Sequence, residues 1–449
     1  MKTIFKTGMA AIALVLAGGI SSCSDDNGNG NGSSQDISNP NTGETPVTAE
    51  EQKDYIEQTA KQMTEVFKPE DQAEFVDFCR DFAEEFGEFG TGESNRPYNY
   101  MVKGITDLGR SAKSINLMGM TRAIQELSYS FGDVSGIYEP DFREDTWVRT
   151  GDSKNVEFRF KVKGVNCSLV AEPNGGDWSM SGTGYEEDDD YPYDEHPVKV
   201  TVTVPRNITI SLTKGSTRLA YGTVDTKYDQ KGKTAYADID MTVANINVSA
   251  KADMTNSRVK AEASARIGGT ELFSVSGQLN GHDLCDIDKI SECVEINDEY
   301  DEEDSEFWKK GLHSLFSDGT ATANIMRRMF ISGKCDNITS LARTFALWYD
   351  VEEDKSLAQE KLNYLNSHIK SQFYLGGSKE PTGDIIWSLY RESEDWGYEP
   401  YYYWYPEPVM KFSDGTTYRF TEYFNEGNFG STMQSIVSLV ELYQAFFGI

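Results

Sequence analysis

Apolar residues recur with two different periods along the chain, and the change between them predicts two kinds of structure. Between Thr48 and Phe86 the apolar positions follow helical spacing. Thr48-x-x-Glu51 is typical of a capping box at the start of a first helix, and four phenylalanines form one face of a second. Because such phenylalanine faces are core more often than ligand sites, this region predicts helices with a buried face.

From about residue 134 the apolar period changes to two. The alternating runs lie at 156–162, 198–204 and 233–279. Each is polar on its other face and bounded by short turns, which predicts an antiparallel meander. The odd-numbered residues of 235–243 and the even-numbered residues of 246–254 are expected to face the core. Many of them are alanines, which favours closely packed helices on this face and leaves a ligand cavity as the alternative.

The last third of the chain mixes both periods. A helical stripe over 357–373 ends at Gly376-Gly377, 385–390 is strand-like, and Asp414-Gly415 between two alternating runs predicts a two-residue hairpin. Ser431 is expected to cap a closing helix. The fold class is therefore α+β, with N-terminal helices packed on a central curved antiparallel β-meander, followed by a mixed helix/hairpin C-terminal region.

Composition divides the chain into four segments. A signal peptide is expected over 1–22 and a flexible polar tether over 23–47, since the tether has nothing to bury. The helical region and the meander fill 48–297, and the mixed region fills 298–449. The last boundary lies at the start of an acidic run that begins at Asp298, and the two folded segments are alternatively one unit.

The N-terminal residues indicate where the protein is located. Lys2 and Lys6 precede a short apolar run and small residues, as in a secretory signal that is too short to span a bilayer. The run Ile20-Ser21-Ser22-Cys23 resembles a bacterial lipobox, and Ser24-Asp25-Asp26 resembles the acidic export signal of Bacteroidetes surface lipoproteins. This resemblance covers about the first 26 residues. It implies lipidation of Cys23 and anchoring in the outer membrane with the body facing the cell exterior, and ordinary secretion is the alternative.

The net charge limits the kinds of partner that the chain can bind, and the cysteine content limits its possible disulfides. The chain has 42 basic and 73 acidic residues, so its net charge is −31, and loss of two lysines with the signal peptide gives −31 − 2 = −33. Such a charge repels phosphate, so no nucleic-acid partner is expected, and a neutral ligand or a basic protein is favoured. The acidic runs lack the spacing of a calcium loop, so we predict no metal and no cofactor. Of the five cysteines after Cys23, Cys285 and Cys293 could pair, although unpaired thiols are favoured.

Catalytic motifs are lacking, and the four histidines are scattered, so a non-catalytic protein is favoured. Segment 396–406 contains seven aromatic residues in eleven. Successive rings of an extended segment point to opposite sides, so some are expected to meet solvent and offer platforms for a sugar or a protein. The candidate ligand-binding residues are Trp396, Tyr401, Tyr403 and Trp404. Packing of these rings on the hairpin at 409–420 is the structural alternative.

Three classes of function follow from the sequence. The favoured one is a non-catalytic surface lipoprotein that binds a neutral glycan or a protein partner through the aromatic segment. The second is a carrier of an apolar or lipid ligand in a half-open barrel under the alanine-rich sheet. The third is an enzyme with a carboxylate pair that no motif announces, because 73 acidic residues offer many such pairs.

Overall fold

The computed structural model describes residues 38–86, 135–187, 195–229, 231–286, 289–290, 292–293, 296, 305–351, 353–394 and 401–420. Contacts divide the described chain into two units. The first contains the residues up to Phe67 and those from Ala252 onward, and the second contains Lys68–Lys251. The predicted boundary at 298 lies outside the described residues and stays a prediction.

The described helices are few and mostly short. They are α1 (Ala49–Glu65), α2 (Ala73–Phe86), α3 (Ser305–Lys310), α4 (Ile338–Ala346) and α5 (Lys355–His368), with 3₁₀ segments at Pro69–Gln72, Leu312–Leu315 and Leu347–Val351. The predicted capping box is confirmed, since Thr48 Oγ1 accepts from the backbone N–H of Glu51 at 3.2 Å and the Glu51 carboxylate accepts from that of Thr48 at 2.9 Å.

Strands make up most of the described chain, in a large mixed sheet that confirms the α+β class. The earlier strands are β1 (Gly136–Asp141), β2 (Thr146–Gly151), β3 (Val156–Val162), β4 (Val165–Glu187), β5 (Glu195–Lys214), β6 (Thr217–Asp229), β7 (Thr234–Val243) and β8 (Ile246–Thr255). The later strands are β9 (Arg258–Ile267), β10 (Thr270–Gly281), β11 (Phe316–Ile325), β12 (Met329–Asp336), β13 (Ile369–Leu375), β14 (Gly383–Glu394), β15 (Tyr401–Lys411) and β16 (Thr417–Arg419).

Most strands are hydrogen-bonded to the strands before and after them in sequence. The described pairings are antiparallel except that of β1 with β3, which is parallel and makes the sheet mixed. Antiparallel neighbours need only short turns, which explains why the runs of alternating residues follow each other so closely in the sequence.

In the second unit, the phenylalanine face of α2 lies against β3. The Phe82 and Phe160 rings meet edge to face with centroids 5.4 Å apart, and Phe86 lies 5.7 Å from the same ring. Phe82 and Phe86 are fully buried. Beside them, the Glu85 carboxylate accepts from the backbone N–H of Lys163 at 2.7 Å. The prediction that this stripe is core is confirmed.

In the first unit, one face of the sheet is largely apolar, and the other is largely polar apart from the buried Phe330, Tyr374 and Val409. Residues on the apolar face share a buried cluster with Ile56 and Ala60 of α1. These are Ala323, Met329, Ile331, Phe373, Leu375, Ile385, Met410 and Phe412. The side chain at Ala323 is small, so the sheet can accept a helix close to it.

The meander at 233–279 is confirmed as β7 to β10, but its predicted burial is only partly right. Met241, Val243 and Ile246 are buried as expected, whereas Ile239 is half-buried and Asp253, an odd-numbered residue of β8, is 7% exposed. Cross-strand neighbours explain the difference along β7. Residue 243 pairs with the buried Ala220, while residue 237 pairs with Thr226.

The prediction of one helix over 357–373 is wrong at its C-terminal end. Helix α5 stops at His368, and Ile369–Leu375 forms strand β13 between β12 and β14. The apolar residues Ile369 and Phe373 fit a period of four as well as a period of two. Pairing with two neighbouring strands decides between the periods, because it satisfies the backbone donors and acceptors of the whole segment.

The hairpin at Asp414-Gly415 is confirmed, but its loop has three residues and not two. The backbone N–H of Phe412 donates to the carbonyl of Thr416 at 2.9 Å, so Ser413, Asp414 and Gly415 form the loop. Gly415 has a φ of +83°, the left-handed position of such a loop.

Three further expectations from the sequence fall partly or wholly outside the described residues. They are helix over 97–131, solvated loops at the acidic runs 186–190 and 298–304, and the closing helix. Cys167, Cys293 and Cys335 are free thiols. Because Cys293 is free, a disulfide between Cys285 and Cys293 is excluded.

Candidate functional site

The described part of the aromatic segment, residues 401–406, lies in β15 of the β14–β15 hairpin, and the register of the two strands sets which rings share a face. Across the two strands, Tyr390 pairs with Tyr405, Arg391 with Trp404, and Glu392 with Tyr403. Because successive strand residues point to opposite faces, Tyr403 lies with Tyr405 and Trp404 lies on the other side. Of the other candidates, Trp396 and the side chain of Tyr401 lie outside the described part. The four predicted residues therefore do not form one platform.

Trp404 faces the helical cluster formed by α4, α5 and neighbouring residues. Its ring packs against a buried group that includes Leu365 and Trp387. The indole N–H of Trp348 donates to the Trp404 carbonyl at 2.9 Å, and the Lys355 ammonium lies 4.9 Å from the Trp404 ring centroid. These contacts give Trp404 a structural role and support the packing alternative for this residue.

The opposite side of the hairpin carries a group that we call the tyrosine face. Its members are Tyr390, Glu392, Tyr403, Tyr405, Glu407 and Arg419. The ring centroids of Tyr403 and Tyr405 are 6.1 Å apart, and those of Tyr390 and Tyr405 are 6.3 Å apart. All three rings are half-buried, so part of each meets solvent.

Arg419 contacts several other members of the tyrosine face and connects them. Its guanidinium lies 4.1 Å from the Tyr390 ring centroid, within the range of a cation–π contact. The same group donates to the Glu407 carboxylate and to the Tyr405 hydroxyl oxygen. Its side chain is 17% exposed and that of Glu407 is 14% exposed, whereas Glu392 is 49% exposed. The interior of the network is therefore fixed, and its outer edge is a carboxylate.

The Tyr405 hydroxyl is a donor in this network. It lies 2.9 Å from Oε1 of Glu392 and 3.4 Å from Oε2 of Glu407, so its single proton is directed to the closer carboxylate. Burial raises the pKa of the Tyr405 hydroxyl well above its usual value, and the hydrogen bond to Glu392 and the charge of Glu407 raise it further. At neutral pH the face holds two carboxylates and one guanidinium, a net charge of −2 + 1 = −1.

The polar face of the first unit continues beyond the tyrosine face. Ser276 Oγ and Thr322 Oγ1 are 2.8 Å apart across β10 and β11, and Gln372 donates to Asp384 at 3.3 Å across β13 and β14. Asn280 donates to Asp318 at 2.6 Å. Cross-strand hydrogen bonds thus hold the side chains of this face in place.

Sequence reasoning missed Tyr390, Glu392, Glu407 and Arg419 as members of the site. The sequence signal for Arg419 was misleading, because the predicted two-residue loop at Asp414-Gly415 would place residue 419 opposite 410. The observed three-residue loop places it opposite 409 and therefore next to 407 on the same face. Glu392 had no such signal, since the register of β14 on β15 depends on residues 395–400, for which no turn motif is evident.

The described residues contain no group of three or more His, Cys, Asp or Glu arranged to hold a metal ion. Nor does any helix in the described ranges have the length and apolar character needed to cross a membrane. Comparison of the chain with protein-family models, with curated proteins and with solved structures found no match.

Proposed function

We propose that this protein is an outer-membrane surface lipoprotein, anchored through Cys23, that binds a neutral glycan on the tyrosine face without catalysing a reaction. The observation that carries the proposal is the combination of half-exposed rings with hydrogen-bonding groups held at their edge. Flat rings match the C–H faces of a sugar, and fixed polar groups give such a site its orientation and specificity.

The electrostatics support a neutral ligand. The tyrosine face has a net charge of −1, and the whole chain has a net charge of −31, so an acidic glycan would be repelled at both levels. The Arg419 guanidinium offers little attraction to an anion, because its contacts with Glu407 and Tyr405 already use it.

A protein partner is the second candidate ligand. It is favoured by Tyr402, which is 38% exposed on the opposite side of β15, with the Arg391 guanidinium 4.2 Å from its ring centroid. Tyrosine and arginine are enriched at the centres of protein interfaces. The other alternative from the sequence, a carrier of an apolar ligand, gains no support from the cluster around Ala323, because Ile56 and Ala60 of α1 belong to that cluster.

The finer architecture belongs to the same proposal. We expect the N-terminal helical region to cover a curved central meander, with the lipid anchor and its tether ahead of this body. The ring contacts of α2 with β3, and the cluster of α1 with β11 to β13, support helical cover within each unit.

Binding is tested with the full chain carrying Cys23→Ser, which keeps it free of lipid. Calorimetry against neutral hexasaccharides from cellulose, mannan and starch is expected to identify a binder. Tyr403→Ala should then weaken binding about tenfold, since loss of a ring at a binding centre costs more than about 1 kcal/mol. Tyr221→Ala is the matched control, because Tyr221 is exposed with Arg218 over its ring but lies in the second unit. Equal affinity of Tyr403→Ala and wild type would reject the proposed site.

Location is tested separately. Cys23→Ser is expected to release the protein from the membrane fraction of its cells. Added protease is expected to digest the wild-type body on intact cells, and protection from protease would contradict surface exposure.

A further inference from the structure

Glu392 is the outermost polar group of the tyrosine face. Both of its contacts in the described chain use the same oxygen, since Oε1 accepts from the Tyr405 hydroxyl at 2.9 Å and lies 3.4 Å from Nη2 of Arg419. Its Oε2 makes no hydrogen bond or ion pair to these residues. Half of the side chain is exposed, so a ligand can reach this oxygen.

The neighbours of Glu392 hold its carboxylate beside an aromatic platform. Residues 392 and 403 are partners across β14 and β15, so a sugar ring on Tyr403 has the carboxylate at its edge. Tyr405 and Arg419 hold Oε1 from the side, which orients Oε2. A carboxylate held in this way loses little conformational entropy when a ligand binds.

An ionised carboxylate only accepts hydrogen bonds, so its ligand must bring donors. Unsubstituted sugar hydroxyls are donors, O-alkylated positions are not, and a uronic acid adds a second negative charge. We infer that Glu392 selects the ligand of this site, a neutral sugar with free hydroxyl groups, and rejects O-alkylated and acidic sugars. The inference rests on the proposed glycan function and adds a specificity-determining residue to it.

The test uses the full chain with Cys23→Ser and the hexasaccharide that binds wild type most tightly. Its O-methylated form and its form oxidised to the uronate at C6 are the comparison ligands. In wild type the unmodified sugar is expected to bind at least about tenfold more tightly than either, because hydrogen bonds to a charged group are among the stronger ones. Glu392→Gln should bind the unmodified sugar about tenfold more weakly than wild type does, and the methylated sugar with unchanged affinity. The ratio of its affinities for the unmodified sugar and for the uronate should be smaller than in wild type.

Glu360→Gln is the control, since it makes the same charge change at an exposed residue of α5. It is expected to match wild type with every ligand. Glu392→Gln that binds the unmodified sugar as tightly as wild type would overturn the inference while leaving glycan binding intact. Failure of wild type to bind any hexasaccharide would instead overturn the proposed function, and the inference with it.

Discussion

The side-chain amides of Asn41 and Asn324 donate hydrogen bonds to each other, over N···O distances of 3.1 and 2.9 Å. Asn41 is only 9% exposed, and the Asn39 amide nearby donates to the carbonyls of Gly376 and Ser378 at 2.9 Å each. Residues ahead of Thr48 are thus bound to β11 and to the turn after β13.

The hydrogen-bonded amides of Asn41 and Asn324 are expected to give a measurable coupling energy between substitutions at the two residues. Asn41→Ala, Asn324→Ala and the double variant are expected to give a coupling of about 1 kcal/mol in urea unfolding, because each single change leaves a polar partner unsatisfied. Asn41→Ala combined with Asn363→Ala is the control, since Asn363 bonds to Gln359 on α5. That pair should be additive, and additivity of the Asn41 and Asn324 variants would contradict the prediction.

Gly376 is expected to be intolerant of any side chain. Its φ is +57°, and a Cβ there would overlap the carbonyl oxygen of Glu44. Gly268 has a similar φ of +54° but open space around it, so a substitution there measures only the energetic cost of the left-handed backbone conformation. We expect Gly268→Ala to cost about 1 kcal/mol and Gly376→Ala to cost at least about 2 kcal/mol more in urea unfolding. Equal losses of unfolding free energy in the two variants would show that the segment at Glu44 can move away from the added Cβ at little energetic cost.

A charge in β7 should report how burial changes along the strand. Val243 is 1% exposed and Ile239 is half-buried, although both are apolar and belong to the same alternating set. Val243→Asp is expected to cost at least about 4 kcal/mol, because an unpaired charge would enter the core, and Ile239→Asp about half as much. Thermal unfolding of the two variants gives the comparison. A reversed order would contradict the burial pattern.

Local signals predicted the elements well where one period was unambiguous. The Thr48 capping box, the Phe82 face and the strands from 233 to 279 all follow from short-range patterns, because each requires only neighbouring residues. The helix prediction for the segment after His368 was wrong, because the spacing of its apolar residues fits a helix and a strand equally well. Pairing with β12 makes this segment a strand.

The candidate site was predictable only in part for a similar reason. Alternation implied that Tyr403 and Trp404 would face opposite sides, and they do. Which side packs depends on α5 and on Trp348, which are distant in the sequence. The network of Arg419 with Tyr405 and Glu392 joins three strands, and its formation depends on their register, which no short motif encodes.

Tyr405 should make stability fall at alkaline pH. Burial, together with the hydrogen bond to Glu392, raises the pKa of its hydroxyl in the folded state, while an unfolded tyrosine ionises near pH 10. The contribution is therefore fully present below about pH 10 and is lost as the pH rises through the folded-state pKa. Above pH 10 the unfolded chain has released this proton and the folded chain still holds it, so the slope of stability with pH is negative.

The measurement compares the free energy of unfolding at pH 9 and pH 11 in wild type, Tyr405→Phe and Tyr221→Phe. Wild type is expected to lose up to about 1 kcal/mol more than Tyr405→Phe over this interval, an amount that solvent screening of a half-buried group reduces. Tyr221→Phe, which alters an exposed hydroxyl, should follow wild type. If Tyr405→Phe also follows wild type, the Tyr405 hydroxyl titrates alike in the folded and unfolded chains, and the network does not hold its proton.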